Sequence, residues 1–363
     1  MKSRAIKVGN VTVGGSAPIS VQSMTNTKTS DVAATVAQIQ RLQTAGCDII
    51  RVAVPDTESA AAIEQIKENI EIPLVADIHF DYKLALASME RGADAIRLNP
   101  GNIGNEENVS KVAVMAKSKN IPIRIGVNSG SLEQDILEKH SRATPEALVE
   151  SAIRHAKILE NFDFHNIAVS LKASNVADTI AANRLMAAKF DYPLHLGVTE
   201  AGTPRFGLVK SAIGIGALLA DGIGDTIRVS LTADPVEEIY AAKLILQSLG
   251  LYPMRYEVIA CPTCGRCEID IISIANEVER QLTMNNGQWT TKERFLQNSQ
   301  KSNPIKIAIM GCVVNGPGEA RDADIGIAGG KDEAVLFKHG EIIGKIPADR
   351  IVEVLLEEVE KIS

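Results

Sequence analysis

The sequence has no apolar run long enough to cross a membrane, and its amino-terminus carries no signal-peptide core. It contains only five cysteines, an odd number without a secretory segment, so we expect reduced thiols in a cytoplasmic protein, acting as ligands or core residues. Basic residues are outnumbered by acidic ones, and the net charge of −7 argues against nucleic acid as the main partner. Any cluster of arginines must therefore serve a local purpose.

The composition that remains is that of an ordinary globular protein. Hydrophobic residues make up 45% of the chain and charged residues 23%. A length of 363 residues suits one large domain followed by a smaller one.

From residue 19 to about residue 249, one unit recurs: a short apolar strand, a polar turn and an amphipathic helix. The near-continuous apolar strands are typical of a parallel sheet that is buried on both faces. Roughly eight such units predict an α/β fold of the (β/α)₈ TIM-barrel class over residues 1–250. An open doubly wound sheet is the alternative, but no G-x-G-x-x-G follows the first strand. The predicted strands are Ile19–Met24, Ile49–Val54, Leu74–Asp77, Ala95–Leu98, Ile121–Val127, Ile167–Leu171, Leu194–Val198 and Thr226–Leu231.

A hinge at residues 250–257 separates the barrel from a second domain, predicted over residues 251–363. Its pattern of strands, a helix near residues 268–282 and a closing amphipathic helix near residues 349–361 predicts a small α+β domain. A polar tract at residues 285–303 interrupts it and holds the only tryptophan, Trp289.

Basic residues recur on the predicted strands towards their carboxyl ends, where a barrel of this kind places its active site. A cation within an apolar sheet is costly unless it is paired. A structural network with Asp77, Asp94 and Asp225 would account for one or two of these cations, but not for all of them. Because arginine binds phosphate oxygens in a bidentate manner, we favour a diphosphate ligand. The cations are Arg51, Arg97, Arg124, Lys172 and Arg228.

Polar residues suited to orienting a polyol or moving protons also follow the predicted strands. Glu200, just past a strand, is the preferred acid–base candidate. His195, at the start of a strand, is more typical of a satisfied core residue, and Cys47 of a buried core thiol. The polar candidates for ligand binding are Asp77, His79, Asn99, Asn102, Asn128, Ser131 and Ser230.

Three cysteines in two segments are candidates for a metal centre. Cys261 and Cys264 form a C-x-x-C pair, and Cys312 lies in a later turn-rich segment. Thiolates select zinc, copper(I) or iron–sulfur clusters. The fourth ligand stays open between Cys267, which extends the first segment to C-x-x-C-x-x-C, and Glu319. The plainer interpretations are a small core residue for Cys267 and a solvated loop acid for Glu319.

Six motifs resemble one family of bacterial enzymes, the 4-hydroxy-3-methylbut-2-enyl diphosphate synthases of the non-mevalonate isoprenoid route. The resemblance covers nearly the whole chain, and the last motif is highly specific. The motifs are S-V-Q-S-M-T-N-T at 20–27, A-D-I-H-F at 76–80, R-L-N-P-G-N at 97–102, G-V-N-S-G-S-L at 126–132, C-P-T-C-G-R at 261–266 and G-C-V-V-N-G-P-G-E at 311–319.

The resemblance implies a barrel that binds 2-C-methyl-D-erythritol 2,4-cyclodiphosphate and a smaller domain that holds a [4Fe–4S] cluster. It implies a two-electron reductive ring opening with loss of a hydroxyl, in which ferredoxin or flavodoxin supplies the electrons. It also implies a homodimer whose site is shared between subunits. Carried over by position, the cluster ligands are Cys261, Cys264, Cys312 and Glu319. Glu200 is then the donor of a proton to the departing oxygen.

Two other classes of protein fit parts of the pattern. Barrels with Asn, Asp and Arg at their strand ends also bind pterins in methyl transfer, and there the cysteines would hold structural zinc. A cluster-bearing electron carrier or sensor would use the barrel only as a scaffold. Iron and labile-sulfide analysis separates zinc from a cluster, and tight binding of a cyclic diphosphate separates an enzyme from a scaffold.

Overall fold

The computed structural model describes residues 3–285, 304–313 and 320–362. The described residues form two compact units, one ending at Tyr252 and the other beginning at Pro253. None of the described helices is both long enough and apolar enough to span a membrane.

The first unit opens with an antiparallel hairpin of two strands, β1 (Ile6–Val8) and β2 (Val11–Val13). The hairpin buries its apolar residues against Ile49, Val75 and Ala168 in the barrel interior. Sequence patterning did not predict the hairpin, because strands of three residues are too short for an alternating pattern to stand out.

Eight parallel strands, β3 to β10, follow the hairpin in the order β8-β7-β6-β5-β4-β3-β10-β9. A parallel bridge between Val169 and Leu194 joins the two ends of this order and closes the sheet into a barrel. The predicted TIM barrel is therefore confirmed. The strands are Ser20–Met24, Ile49–Ala53, Leu74–Asp77, Ala95–Leu98, Ile123–Asn128, Ile167–Lys172, His195–Leu196 and Thr226–Ile227.

Within the described part of this unit, nine helices, α1 to α9, follow the strands, and two of them, α5 and α6, lie between β7 and β8. Several begin at a side chain that accepts a hydrogen bond from the first turn, such as Asp56, Thr144 and Asn175. These caps end the polar turns that follow the strands, so they fix where each mouth loop stops. The helices are Val32–Ala45, Thr57–Glu68, Tyr82–Glu90, Glu106–Lys119, Gln134–His140, Pro145–Glu160, Val176–Lys189, Pro204–Ala220 and Pro235–Ser248.

Short 3₁₀ turns follow two of the barrel strands, at Pro100–Asn102 after β6 and at Ser129–Ser131 after β7. The segment after β7 then continues through Glu133 into α5. Both turns carry residues predicted for the site.

The second unit is a five-stranded mixed sheet in sequential order. Its first three strands are mutually parallel, and its fourth strand pairs antiparallel with both the third and the fifth. Buried side chains such as Val278, Ile327 and Leu355 pack its helices against the sheet. The strands β11 to β15 are Tyr256–Ala260, Ile305–Met310, Ile325–Gly329, Glu333–Lys338 and Glu341–Pro347, and the helices α10 and α11 are Ile271–Asn285 and Ile351–Glu360.

Candidate functional site

A polar cavity lies at the carboxyl ends of the barrel strands, and it unites most of the predicted ligand-binding residues. No carboxylate stands among the described residues that line it. Ser170 and Gly126 are additions that sequence reasoning did not select for ligand binding. The lining consists of Arg51, Arg97, Arg124, Gly126, Asn128, Ser170, Lys172, Thr199, Arg228 and Ser230.

Asp77, at the end of β5, is the acidic partner of two of these cations. Its Oδ1 accepts a hydrogen bond from Arg97 Nη1 at 3.2 Å, and its Oδ2 lies 3.6 Å from Arg51 Nε. Burial by itself raises the pKa of Asp77, but Arg51 and Arg97 outweigh burial and hold that pKa below its usual value. The carboxylate is therefore charged, and it offsets part of the positive charge.

Burial and the positive charge that remains lower the pKa of three of the basic groups. Burial and the neighbouring cations lower the pKa of Arg51 to about 10. The same causes lower the pKa of Lys172 and of Arg124 well below their ordinary values. Arg124 donates to Gln22 Oε1 at 2.5 Å, but its Nε and Nη2 have no hydrogen-bond partner among the described residues. A bound anion would accept hydrogen bonds from the unpaired nitrogens of Arg124, and it would counter the lowering of the pKa of Arg51, Arg124 and Lys172.

Glu238, on α9, is a site residue that sequence reasoning missed. Its carboxylate is buried and lies 3.3 Å from Arg228 Nη2, and it also accepts hydrogen bonds from Ser23 Oγ and the Leu231 amide. A signal was available, because Glu238 stands on the same helical face as Ala241, Ala242 and Ile245. A carboxylate within an apolar stripe indicates a buried partner.

The alternative of a structural network holds for Asp77 but not for Asp94 and Asp225, because these two acids pair elsewhere. Asp94 Oδ2 lies 2.5 Å from Lys67 Nζ and accepts the Leu74 amide. Asp225 accepts the Leu194 amide at 2.8 Å and the Ser3 hydroxyl. Both acids directly precede barrel strands, at the end of the barrel opposite the cavity.

Gly126 allows Arg97 to lie across β7. Arg97 Nη2 donates to the Gly126 carbonyl at 2.7 Å, and the Gly126 amide donates to Asn99 Oδ1 at 2.9 Å. A Cβ on Gly126 would stand 2.2 Å from Arg97 Nε. The absence of a side chain here thus positions both a guanidinium group and an amide of the site.

Six predicted residues are not among those that line the cavity, and two of these, Asp77 and Asn99, contact residues that do. His79 is largely exposed, with Nε2 3.9 Å from Asp77 Oδ2. Asn102 is half-buried, and Ser131 is exposed with its hydroxyl 3.4 Å from the Asn128 carbonyl. Glu200 is exposed, and its φ of 51° puts a residue with a side chain in the left-handed region.

His195 is buried, as predicted, but it is not satisfied. Neither ring nitrogen has a hydrogen-bond partner within the described chain. Burial, followed by the charges of Arg124 and Lys172, lowers the pKa of His195 well below its usual value, so the ring is neutral. Cys47 is the buried thiol that was predicted, and burial raises its pKa to about 12.

In the second unit, the cysteine segments meet at one end of the sheet. β11 and β12 are parallel neighbours, so Cys261 and Cys312 both follow the carboxyl ends of adjacent strands. The Cys261 amide donates to the Ile309 carbonyl, and the Gly311 amide donates to Cys261 Sγ at 3.2 Å. Cys264 is exposed. A backbone N–H directed at a cysteine sulfur stabilises a thiolate, so this donor set fits a soft metal centre.

Cys267 is half-buried. Its thiol lies 3.1 Å from the Ile269 carbonyl, and a Cβ on Gly311 would stand 2.6 Å from its sulfur. Glu319, the other predicted fourth ligand, lies outside the described residues. Among the described residues alone, no three His, Cys, Asp or Glu side chains form a group able to hold a metal ion.

The role of Gly126 can be tested with a matched pair of glycine variants. Gly126→Ala should displace Arg97 and weaken binding of inorganic pyrophosphate by roughly tenfold, the loss of about one charge-assisted hydrogen bond. Gly130→Ala is the control, because it stands near the same mouth but a Cβ there meets no atom within 4 Å. Isothermal titration calorimetry measures the pyrophosphate affinity of both variants, and circular dichroism verifies that both are folded. Equal affinities would refute the positioning role.

Two family models match the chain. The GcpE TIM-barrel domain matches residues 3–243, and the GcpE protein C-terminal domain matches residues 257–361. The predicted resemblance is thereby confirmed, and the barrel assignment agrees with the strand order.

Curated relatives match over nearly the full length, and all three described here are named 4-hydroxy-3-methylbut-2-en-1-yl diphosphate synthase (flavodoxin). The protein of Caldanaerobacter subterraneus subsp. tengcongensis is 57% identical, covering 99% of this chain and 97% of the relative. That of Clostridium perfringens is 58% identical, with 99% of both chains covered. That of Geobacillus thermodenitrificans is 55% identical, covering 100% of this chain and 92% of the relative. With both domain models matched and relatives this similar, the chain belongs to the GcpE family.

Proposed function

We propose that this protein converts 2-C-methyl-D-erythritol 2,4-cyclodiphosphate to 4-hydroxy-3-methylbut-2-enyl diphosphate in isoprenoid biosynthesis. The observation that carries the proposal is the cavity in which four guanidinium groups and one ammonium group converge, with no carboxylate among its described lining residues. Such a cavity suits a small ligand that carries a diphosphate. The names of the full-length relatives give the product and flavodoxin, and the family resemblance implies the cyclic diphosphate substrate.

The barrel cations would hold the diphosphate, and the neutral groups beside them would orient the carbon skeleton. Arg51 and Arg97 are held by Asp77, and Arg228 by Glu238, so these guanidinium groups keep their positions before a ligand arrives. Preorganisation of this kind reduces the cost of binding. The hydroxyl and amide groups available to the carbon skeleton are Asn128, Ser170, Thr199 and Ser230.

Glu200 is our candidate for the residue that protonates the departing oxygen. It lies four residues beyond the end of β9 and directly follows Thr199, which lines the cavity. Its left-handed backbone is an unfavourable conformation for glutamate, and such conformations concentrate at functional sites. The reaction consumes two electrons and two protons and releases the hydroxyl oxygen as water, so a residue at the mouth must relay a proton to that oxygen, and we assign this relay to Glu200.

We infer a [4Fe–4S] cluster in the second unit, with Cys261, Cys264 and Cys312 as three ligands and Glu319 as the fourth. When bound, the cluster would supply electrons one at a time. The protein's part is to present three soft thiolates, with the Gly311 amide stabilising the charge on Cys261. A carboxylate binds a soft iron centre less firmly than a thiolate does, so the fourth position would remain exchangeable.

The electrons would come from flavodoxin or ferredoxin, and the names of the relatives favour flavodoxin. We place the protein in the cytoplasm, where cysteine ligands stay reduced.

We further propose a homodimer. Large apolar side chains are exposed on neighbouring helices of the barrel, with Phe206, Val209 and Ile213 on one face of α8 and Tyr240 and Leu244 on α9. The spacing of these residues puts each set on a single helical stripe. A contiguous exposed apolar patch on a protein typically marks an interaction surface, and a second copy of this chain is the occupant we propose.

The reaction and the ligand site can be tested together. Anaerobically reconstituted protein with reduced flavodoxin should convert the cyclic diphosphate to a linear product, observed by phosphorus NMR. Arg51→Gln should weaken binding by about 10- to 150-fold, because one charge-assisted contact worth about 1.5–3 kcal/mol is lost. Arg41→Gln, which removes an exposed ion pair with Asp234, should bind as the unmodified chain does. Unmodified protein that carries a full cluster but neither binds nor converts the substrate would contradict the proposal.

The ligand set can be tested by comparing cysteine variants. Cys264→Ser should lose most of the iron, because an exposed thiolate ligand is replaced by a weaker hydroxyl. Cys267→Ser should keep it, because the thiol contacts the Ile269 carbonyl and a hydroxyl can donate there as well. Glu319→Ala should retain three firmly held irons and lose activity. Iron and sulfide analysis with electron paramagnetic resonance distinguishes these results, and iron loss in Cys267→Ser with a working Glu319→Ala would reverse the assignment.

The dimer surface can be tested by adding charge to it. The double change Val209→Glu and Ile213→Glu should shift the protein from dimer to monomer in sedimentation velocity, because like charges would face each other across the interface. Val114→Glu is the control, since Val114 is also exposed but lies on α4, away from the patch. A dimer that persists in the double variant would place the interface elsewhere.

A further inference from the structure

A buried histidine outside the cavity contacts one of the mouth loops. His155 lies on the inner face of α6, almost fully buried, and its Nδ1 accepts a hydrogen bond from the Gly101 amide at 3.1 Å. Gly101 belongs to the turn of residues 99–102 that follows β6. A Cβ on Gly101 would stand 2.7 Å from His155 Cε1, so the ring packs directly against the glycine.

The other side of the same ring faces the next mouth loop. Because Nδ1 accepts a hydrogen, the neutral ring carries its own hydrogen on Nε2. That nitrogen lies 3.1 Å from Glu133 Oε1. Glu133 lies two residues beyond the turn of residues 128–131 after β7, with Leu132 between them, and it immediately precedes α5.

The carboxylate of Glu133 is itself held in place. Ser151, one helical turn before His155 on the same face of α6, donates its hydroxyl to Glu133 Oε2 at 2.7 Å. Burial raises the pKa of Glu133, but the contacts from His155 and Ser151 outweigh it and hold that pKa at about 2. Glu133 is therefore a charged acceptor throughout the neutral range.

We infer that His155 and Glu133 form a clamp that fixes the loop of residues 99–102 relative to the loop of residues 128–131. Of the polar side chains on these two loops, Asn128 lines the cavity, whereas Asn99, Asn102 and Ser131 do not. Asn99 also accepts the Gly126 amide from the strand before the second loop, so the two loops are tied together at both ends. His155 and Glu133 contact none of the cavity, and they are positioning residues for the ligand site of the proposed function.

The same two helices offer a control at the neighbouring position. Arg154 and Asp135 also join α6 to α5, with 2.8 Å between Arg154 Nη2 and Asp135 Oδ2, but this ion pair is exposed. An exposed pair contributes little, so its loss should leave both loops as they are. The clamp differs from this ion pair because its histidine is buried and because the one ring of His155 contacts both loops.

Hydrogen–deuterium exchange and steady-state kinetics on the full chain test the clamp. Glu133→Ala should raise amide exchange not only in peptides covering residues 128–136 but also in those covering residues 99–105. Glu133→Gln, which keeps an acceptor oxygen for Nε2, should restore most of the protection. His155→Asn should keep the contact to Gly101 and lose the coupling to the second loop. Arg154→Ala should change amide exchange in neither the peptides covering residues 99–105 nor those covering residues 128–136.

In turnover, Glu133→Ala and His155→Asn should raise KM by roughly tenfold with kcat changed less, because the ligand loses oriented polar partners rather than a reacting group. Unchanged exchange at residues 99–105 in folded Glu133→Ala would overturn the clamp, as would an equal effect of Arg154→Ala. The exchange result does not depend on turnover. Coupled loops in a protein without activity would therefore refute the proposed function and leave the clamp standing.

Discussion

The burial of more positive than negative charge at one end of the barrel is the constraint on which the site depends. Asp77 holds Arg51 and Arg97, and Glu238 holds Arg228, but Lys172 and Arg124 have no carboxylate of their own among the contacts described. Moving an ion out of water costs several kcal/mol, and a like-charged neighbour adds to that cost. The lowered pKa values of Lys172 and Arg124 express this cost. The apolar barrel core must supply the stability that keeps these cations together until an anion arrives.

The strand-end cations could be predicted from the sequence because each stands within an apolar run, where a charge is conspicuous. Their acidic partners were harder to predict, because a carboxylate can come from any element that reaches the same space. Asp77 was found because it ends a strand, whereas Glu238 was missed because it lies on a helix. Asp94 and Asp225 were wrongly included, since nearness in sequence to a strand does not say which end of the barrel a side chain occupies.

The metal-ligand pattern was read from spacing, and the fold explains why two distant segments meet. β11 and β12 are parallel neighbours, so the chain leaves both strands at the same edge of the sheet, where Cys261 and Cys312 follow. Spacing left the fourth ligand undecided, because it carries no information about the direction of a side chain. The contact of Cys267 with the Ile269 carbonyl and its packing against Gly311 supply that information for one of the two candidates.

Charge and orientation come from different parts of the barrel. Four of the five cations stand on strands and are fixed by the closed sheet, whereas Thr199 and Ser230, two of the neutral groups that would orient a ligand, stand on the loops that follow. Loops need support from outside the sheet, and one buried ring on α6 contacts both of the loops after β6 and β7. Neither His155 nor Glu133 could be selected from sequence, because a lone histidine in an amphipathic helix has no distinguishing pattern. A change on an outer helix can therefore alter ligand affinity without touching the cavity.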